Sequence, residues 1–140
     1  MSEDGPGTGP GAATPAGGGE LILVADDSRT AVTVLEFALQ KAGYRVATAA
    51  DGEQALERIR ALRPRLVVLD GMMPLLDGFQ VAAAVRADAT LDPQPHLIMV
   101  TAEGRDDDRR RAVESGIDDF LWKPFSPQDL LARVRAGLDA

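Results

Sequence analysis

The chain of 140 residues has no cysteine, a single histidine and no long apolar run. Without cysteine there is no disulfide and no thiolate metal site, which fits a reducing cytoplasm. No stretch approaches the roughly 18 apolar residues of a membrane span. The first twenty residues, MSEDGPGTGPGAATPAGGGE, lack Lys and Arg and any apolar stretch, so they are not a signal peptide. They hold seven Gly and three Pro and almost nothing that enters a core. Such composition does not offset the entropy of ordering, and residues 1–20 are expected to form a disordered tail. Basic residues are also in deficit, with 15 Lys and Arg against 22 Asp and Glu and a net charge of −7. Three of those acids and none of the bases lie in the tail, leaving 19 acids against 15 bases over the rest. That balance argues against direct nucleic-acid binding.

What remains, 21–140, fits one domain, long enough to bury about two-thirds of its unfolded surface. Short apolar runs alternate with helical stretches. Leu21–Ala25 reads as a strand, then a helix over Arg29–Lys41 with Asp27 or Ser28 as N-cap and Gly43 as stop. Tyr44–Ala49 partly alternates and suits an exposed edge strand. After the Asp51-Gly52 turn, Ala55, Leu56, Ile59 and Leu62 form one face of a second helix, closed by Pro64. A strand over Arg65–Leu69, a loop over Asp70–Leu76 and a helix near Asp77–Ala87 follow. A connector over Leu91–Pro95 leads to a strand over His96–Val100 and a helix over Arg105–Ser115, stopped by Gly116. A strand over Asp119–Trp122 precedes a last helix, capped by Ser126, with Leu130, Leu131, Val134 and Leu138 on its apolar side. Five βα units with right-handed crossovers give an α/β, doubly wound parallel sheet with helices on both faces.

Four of the apolar runs end in a chemically useful group. LILVA ends in Asp26-Asp27, LVVL in Asp70, LIMV in Thr101 and FLW in Lys123, which precedes Pro124. In an open parallel sheet the carboxyl ends of the strands share one edge, where ligands bind. Three carboxylates, a hydroxyl and an ammonium are therefore gathered there. Two carboxylates about 4 Å apart repel by roughly 4 kcal/mol at an effective dielectric near 20. A divalent cation and a nearby Lys offset that repulsion, and Mg2+ suits an all-oxygen site of one or two carboxylates plus phosphate. Taken singly, each group has an ordinary explanation: a helix cap, a strand-ending Thr, a solvated Lys before Pro. Their conjunction at strand ends, in chain order, is what points to phosphoryl chemistry.

The segments LILVADDS, LVVLDGMMPLLDG, IMVTA and DDFLWKPF resemble the receiver domain of bacterial two-component response regulators. The resemblance covers all of 21–140. It implies a flavodoxin-like sheet with strand order 2-1-3-4-5. It implies that Asp70 accepts a phosphoryl group from a sensor histidine kinase, a phosphotransfer protein or a small-molecule donor. Mg2+ is then held by Asp26, Asp27, Asp70 and the backbone carbonyl of Met72, with Asp27 direct and Asp26 through water. Thr101 and Lys123 bind the phosphoryl oxygens, and the Lys123–Pro124 peptide is cis. Thr101 and Phe120 form the switch that alters the surface of the fourth helix, fifth strand and fifth helix. That surface acts on a downstream protein or an output domain, and a phosphorylation-dependent dimer is one form of output. The implied protein is a cytoplasmic switch rather than an enzyme, with autodephosphorylation as its possible turnover.

Met72 and Glu103 flank the phosphoryl position in the family and influence its hydrolysis. Met72 gives an attacking water no handle, whereas Glu103 can orient one, and the balance stays open. His96 lies at the start of a strand and reads as structural or exposed, not as a phosphotransfer histidine on a helix. The run Arg105–Arg111 (RDDDRRR) reads mostly as a solvated helix face. Trp122 falls on the same side as Phe120 and either packs under the last helix or joins a partner surface. A second reading keeps the fold as a phosphorylation-independent interaction module, against which the intact Asp26, Asp27, Asp70, Thr101 and Lys123 set argues. A flavin or nucleotide carrier is disfavoured because Asp26-Asp27 repels anionic cofactors where they want backbone N–H groups.

Overall fold

All five strands join one parallel sheet in the order β2-β1-β3-β4-β5. The structure, a computed structural model, describes residues 18–102 and 106–139. The tail over 1–17, Glu103 and Arg105 lie outside the described residues. In chain order the elements are β1 (Leu21–Ala25), α1 (Arg29–Lys41), β2 (Arg45–Ala49), α2 (Gly52–Leu62), β3 (Leu66–Asp70), α3 (Gly78–Ala87), β4 (His96–Ala102), α4 (Asp106–Glu114), β5 (Asp119–Lys123) and α5 (Pro127–Asp139). Parallel neighbours need a long crossover, and the chain supplies a helix between each consecutive pair of strands. Ordered contact begins before β1. The Gly19 N–H donates to the Gly43 carbonyl at 3.1 Å, and Arg45 Nε donates to the Gly19 carbonyl at 2.7 Å.

The central strands read as unbroken apolar runs because both of their faces are covered. Ile22, Val24, Leu66, Val68, Ile98, Val100 and Leu121 meet Leu35 and Leu39 of α1 and Leu130 and Val134 of α5. On the other face, Leu23, Ala25, Val67, Leu69 and Leu97 meet Ala55 and Ile59 of α2 and Val81, Ala82 and Val85 of α3. Each large side chain fully buried here contributes about 1.5–3 kcal/mol. A third, smaller cluster joins Phe79 of α3, Met99 of β4 and Ala112 of α4, with Phe120 at its border. β2 is an edge strand, as its alternation suggests. Tyr44, read as part of that exposed edge, is instead buried with the α1 and α5 cluster.

Helix ends follow local chemistry. Ser28 caps α1 through the Ala31 N–H, and Asp51 caps α2 through the Gln54 N–H. Asp77 and Gln80 form a reciprocal capping box at the start of α3. Gly43 and Gly116 follow α1 and α4 with φ of 102° and 89°, the left-handed turn that a glycine stop supplies. Lys123–Pro124 is cis, as the resemblance implies, and so is Asp92–Pro93. One reading of Trp122 is corrected. Leu121, not Trp122, faces α5, so alternation sends Trp122 to the opposite face. There it packs edge-on against Phe120, ring centroids 4.5 Å apart.

Candidate functional site

Asp26 follows β1, Asp70 ends β3, Thr101 is next to last in β4 and Lys123 ends β5. Asp27 is the next residue of the β1–α1 loop. One carboxylate oxygen from each of Asp26, Asp27 and Asp70 lies within 4.8 Å of the others. Asp26 and Asp70 are buried, at 3% and 5% exposure, whereas Asp27 is open to solvent. Lys123 Nζ stands between the two buried acids, 3.3 Å from Asp26 Oδ2 and 3.6 Å from Asp70 Oδ2.

Backbone amides hold the other oxygen of each buried acid. The Ser28 N–H donates to Asp26 Oδ1 at 2.8 Å, and the Met72 N–H donates to Asp70 Oδ1 at 3.1 Å. Neither amide was singled out from the sequence, although both are the second residue after an Asp, the spacing of an Asx turn. So each carboxylate is gripped from both sides, and its orientation is set by the fold.

The charge does not balance. With all groups ionised, three carboxylates against one ammonium leave a residual −2. Burial, with the Asp26 carboxylate adding to it, pushes the Asp70 carboxyl up to about 6, against the opposing pull of the Met72 N–H and Lys123. A group so placed is still mostly ionised at neutral pH, and a dication relieves it. The all-oxygen donor set, the spacing and the residual charge fit Mg2+.

Glycines let the β3–α3 connection close over this edge. A Cβ on Gly78 would stand 2.5 Å from the Asp70 carbonyl oxygen, and one on Gly52 would collide with the Leu76 carbonyl. The Gly78 N–H donates to the Gly71 carbonyl at 3.1 Å. A Cβ on Gly71 would stand 3.1 Å from Thr101 Oγ1. The buried Thr101 hydroxyl thus borders the backbone just after Asp70. It has no hydrogen-bond partner among the described residues. Thr101 also pairs in register with Trp122, which touches Phe120.

These features match a known family. The family model for the response regulator receiver domain matches residues 22–135. The chain belongs to the response regulator receiver family. Among its relatives is the alkaline phosphatase synthesis transcriptional regulatory protein PhoP of Bacillus subtilis (strain 168), 43% identical over 117 residues, which are 84% of this chain and 48% of that protein. Another is the DNA-binding response regulator MtrA of Mycolicibacterium paratuberculosis, 42% identical over 119 residues, 85% of this chain and 51% of that protein. The chain therefore spans about half the length of these curated relatives. Among solved structures, the chemotaxis protein CheY4 of Vibrio cholerae superposes with a TM-score of 0.79 at 31% identity, covering 85% of this chain and 98% of that one. Receivers of this family are signalling switches rather than enzymes of the usual kind. No helix among the described residues is long and apolar enough to cross a membrane.

A cleft of about 430 Å³ opens beside Asp26 and Asp27, lined also by Arg29, Thr33, Thr48 and Gln54. The Met72 side chain is 70% exposed at the lip of the site. His96 lies at the opposite edge of the sheet, its Nδ1 3.6 Å from Asp118 Oδ2, in keeping with a structural role. Of the basic run before Gly116, Arg109 and Arg110 are exposed, and Arg111 lies over the Phe79 ring of α3.

Proposed function

We propose that this receiver accepts a phosphoryl group on Asp70 in a Mg2+-dependent reaction and converts it into a change at the α4, β5 and α5 surface. The observation that supports this best is Lys123 Nζ held between Asp26 and Asp70, beside a third carboxylate and with −2 left uncompensated. Asp26, Asp27, Asp70 and the Met72 carbonyl are the residues to hold Mg2+. When bound, the ion neutralises carboxylate charge and polarises the phosphoryl oxygens.

The protein's own part is positioning and charge balance. Burial and the Met72 N–H fix the Asp70 carboxylate, whose other oxygen attacks phosphorus in line. The bond from phosphorus to the donor nitrogen or oxygen breaks, and its electron pair leaves with the donor. Lys123 shifts its charge toward the incoming oxygens, and the Thr101 hydroxyl donates to one of them. The product adds roughly 1.5 to 2 negative charges to the edge. Drawing Thr101 toward that group opens space on the far side, into which Phe120 turns.

The donors in this reading are a sensor histidine kinase, a phosphotransfer protein or a small acyl phosphate. The target is a downstream protein or an output domain, in keeping with relatives named as transcriptional regulators, and dimerisation is one output. Cytoplasmic placement goes with such donors. The test is a titration of beryllium fluoride, a phosphoryl analogue, followed by Trp122 fluorescence. Saturable binding that requires Mg2+ and is lost in Asp70→Asn supports the reading; binding that ignores either opposes it.

A further inference from the structure

Among the described residues, α4 buries fewer side chains than any other helix of the fold. Its sequence, DDDRRRAVE, is almost wholly charged. Among its described residues only Ala112 is buried, and Val113 is 70% exposed. One buried alanine contributes far less than the paired large side chains, Leu35 with Leu39 and Leu130 with Val134, that seat α1 and α5.

Among the described residues, Arg111 adds a further hold on α3. The Arg111 guanidinium lies 4.1 Å from the centroid of the Phe79 ring in α3. Its Nη2 is also 3.5 Å from Oδ2 of Asp77, the α3 cap. The Arg111 side chain is 52% exposed, so the contact lies at the surface. The far end of α4 is pinned separately. Arg86 donates to the Gly116 carbonyl at 2.9 Å and to Asp118 Oδ2 at 2.7 Å. α4 is therefore tied to α3 at two points, through Arg86 just past its C-terminal end and through Arg111 one turn earlier.

The Arg111 contact stands between the site and the surface. Gly78, between Asp77 and Phe79, packs on the Asp70 carbonyl. Phe79 shares a cluster with Met99 and Ala112, bordered by Phe120. We propose that Arg111 is a latch holding α4 against α3 in the unphosphorylated protein and released when Asp70 is phosphorylated. This rests on the reading of Asp70 as phosphoacceptor. A contact present in one state only biases the equilibrium by its differential energy. A cation–π contact at an exposed site changes an equilibrium constant by about two- to fivefold. Removing the latch favours the phosphorylated arrangement by that factor.

The experiment titrates beryllium fluoride with Mg2+ into the full chain and into Arg111→Ala and Arg111→Lys, followed by NMR at Ala112, Phe120 and Trp122. Half-saturation is expected to fall about two- to fivefold in Arg111→Ala. Arg111→Lys keeps the charge but stacks less well, so it should lie between. In ligand-free Arg111→Ala the Ala112 amide should already move toward its bound position. Half-saturation equal to or above that of the parent overturns the latch. Should α4 signals collapse in Arg111→Ala, Arg111→Lys decides on the same criterion. Failure of the parent itself to bind overturns the Asp70 reading instead, which neither variant touches.

Discussion

Asp70 is held where its charge is useful and costly at once. Its folded carboxyl sits at about 6, above the ordinary value near 3.8, because burial outweighs the help of the Met72 N–H and Lys123. Between those two pH values the folded protein keeps a proton that the unfolded chain has lost. Stability therefore falls as pH rises through that window, and the penalty persists above it. Without Mg2+, Asp70→Asn should be more stable than the parent at pH 7, by on the order of 1–3 kcal/mol, with the gap closing near pH 4. Urea unfolding of both proteins in chelator checks this; a parent as stable as the variant at pH 7 would contradict it. Asp26 and Asp27 are not equivalent either. Asp26 spends its oxygens on the Ser28 N–H and Lys123, whereas Asp27 faces solvent. Mg2+ affinity, read by Trp122 fluorescence, should fall more in Asp27→Ala than in Asp26→Ala. Equal losses would show that the two share the ion in the same way.

At the scale of elements, the β3–α3 connection places the site. Asp77 caps α3 and Gly78 lets the helix start against the Asp70 carbonyl, so a methyl at position 78 has to displace the strand end. Gly78→Ala should destabilise the fold by about 1–3 kcal/mol, the range of an overpacked contact, and slow labelling of Asp70. Urea unfolding and labelling rates report the two effects separately; an unchanged rate would mean the connection does not set Asp70. The elements themselves were largely legible in the sequence. Runs buried on both faces, glycine stops and Asp or Ser caps are local signals, and they place every strand and helix to within a few residues. Tyr44 and Trp122 were misjudged or left open for a different reason. Which helix covers which face is decided by strand order and register, and alternation alone gives a side without naming its occupant. The strand-end acids, Thr101 and Lys123 were legible because strand ends in a parallel sheet converge. Their backbone partners at Ser28 and Met72, and the stacking of Arg111 on Phe79, were not, since those depend on loop geometry and helix placement.

For the whole molecule, the proposed switch requires a charge added at one edge to change packing at another surface. The contacts available run from Asp70 past Gly71 to Thr101, then across β4 and β5 to Trp122 and Phe120. Moving a two-state equilibrium from 1:99 to 99:1 requires about 5.5 kcal/mol of differential interaction. In this reading the Thr101 hydroxyl bonding a charged phosphoryl oxygen contributes about 1.5–3 kcal/mol, roughly a quarter to a half of that. Thr101→Ala should therefore still bind beryllium fluoride yet switch incompletely, seen as smaller NMR shifts at Phe120 and Trp122 at saturation. Full shifts in that variant would remove Thr101 from the path.

Every step of the proposed switch depends on Asp70 being the one residue phosphorylated. Intact-mass spectrometry after incubation with acetyl phosphate, with and without Mg2+, tests that directly. The parent should gain one acid-labile phosphoryl group only when Mg2+ is present, and Asp70→Asn should gain none. Labelling of Asp70→Asn to the same extent as the parent would contradict the assignment.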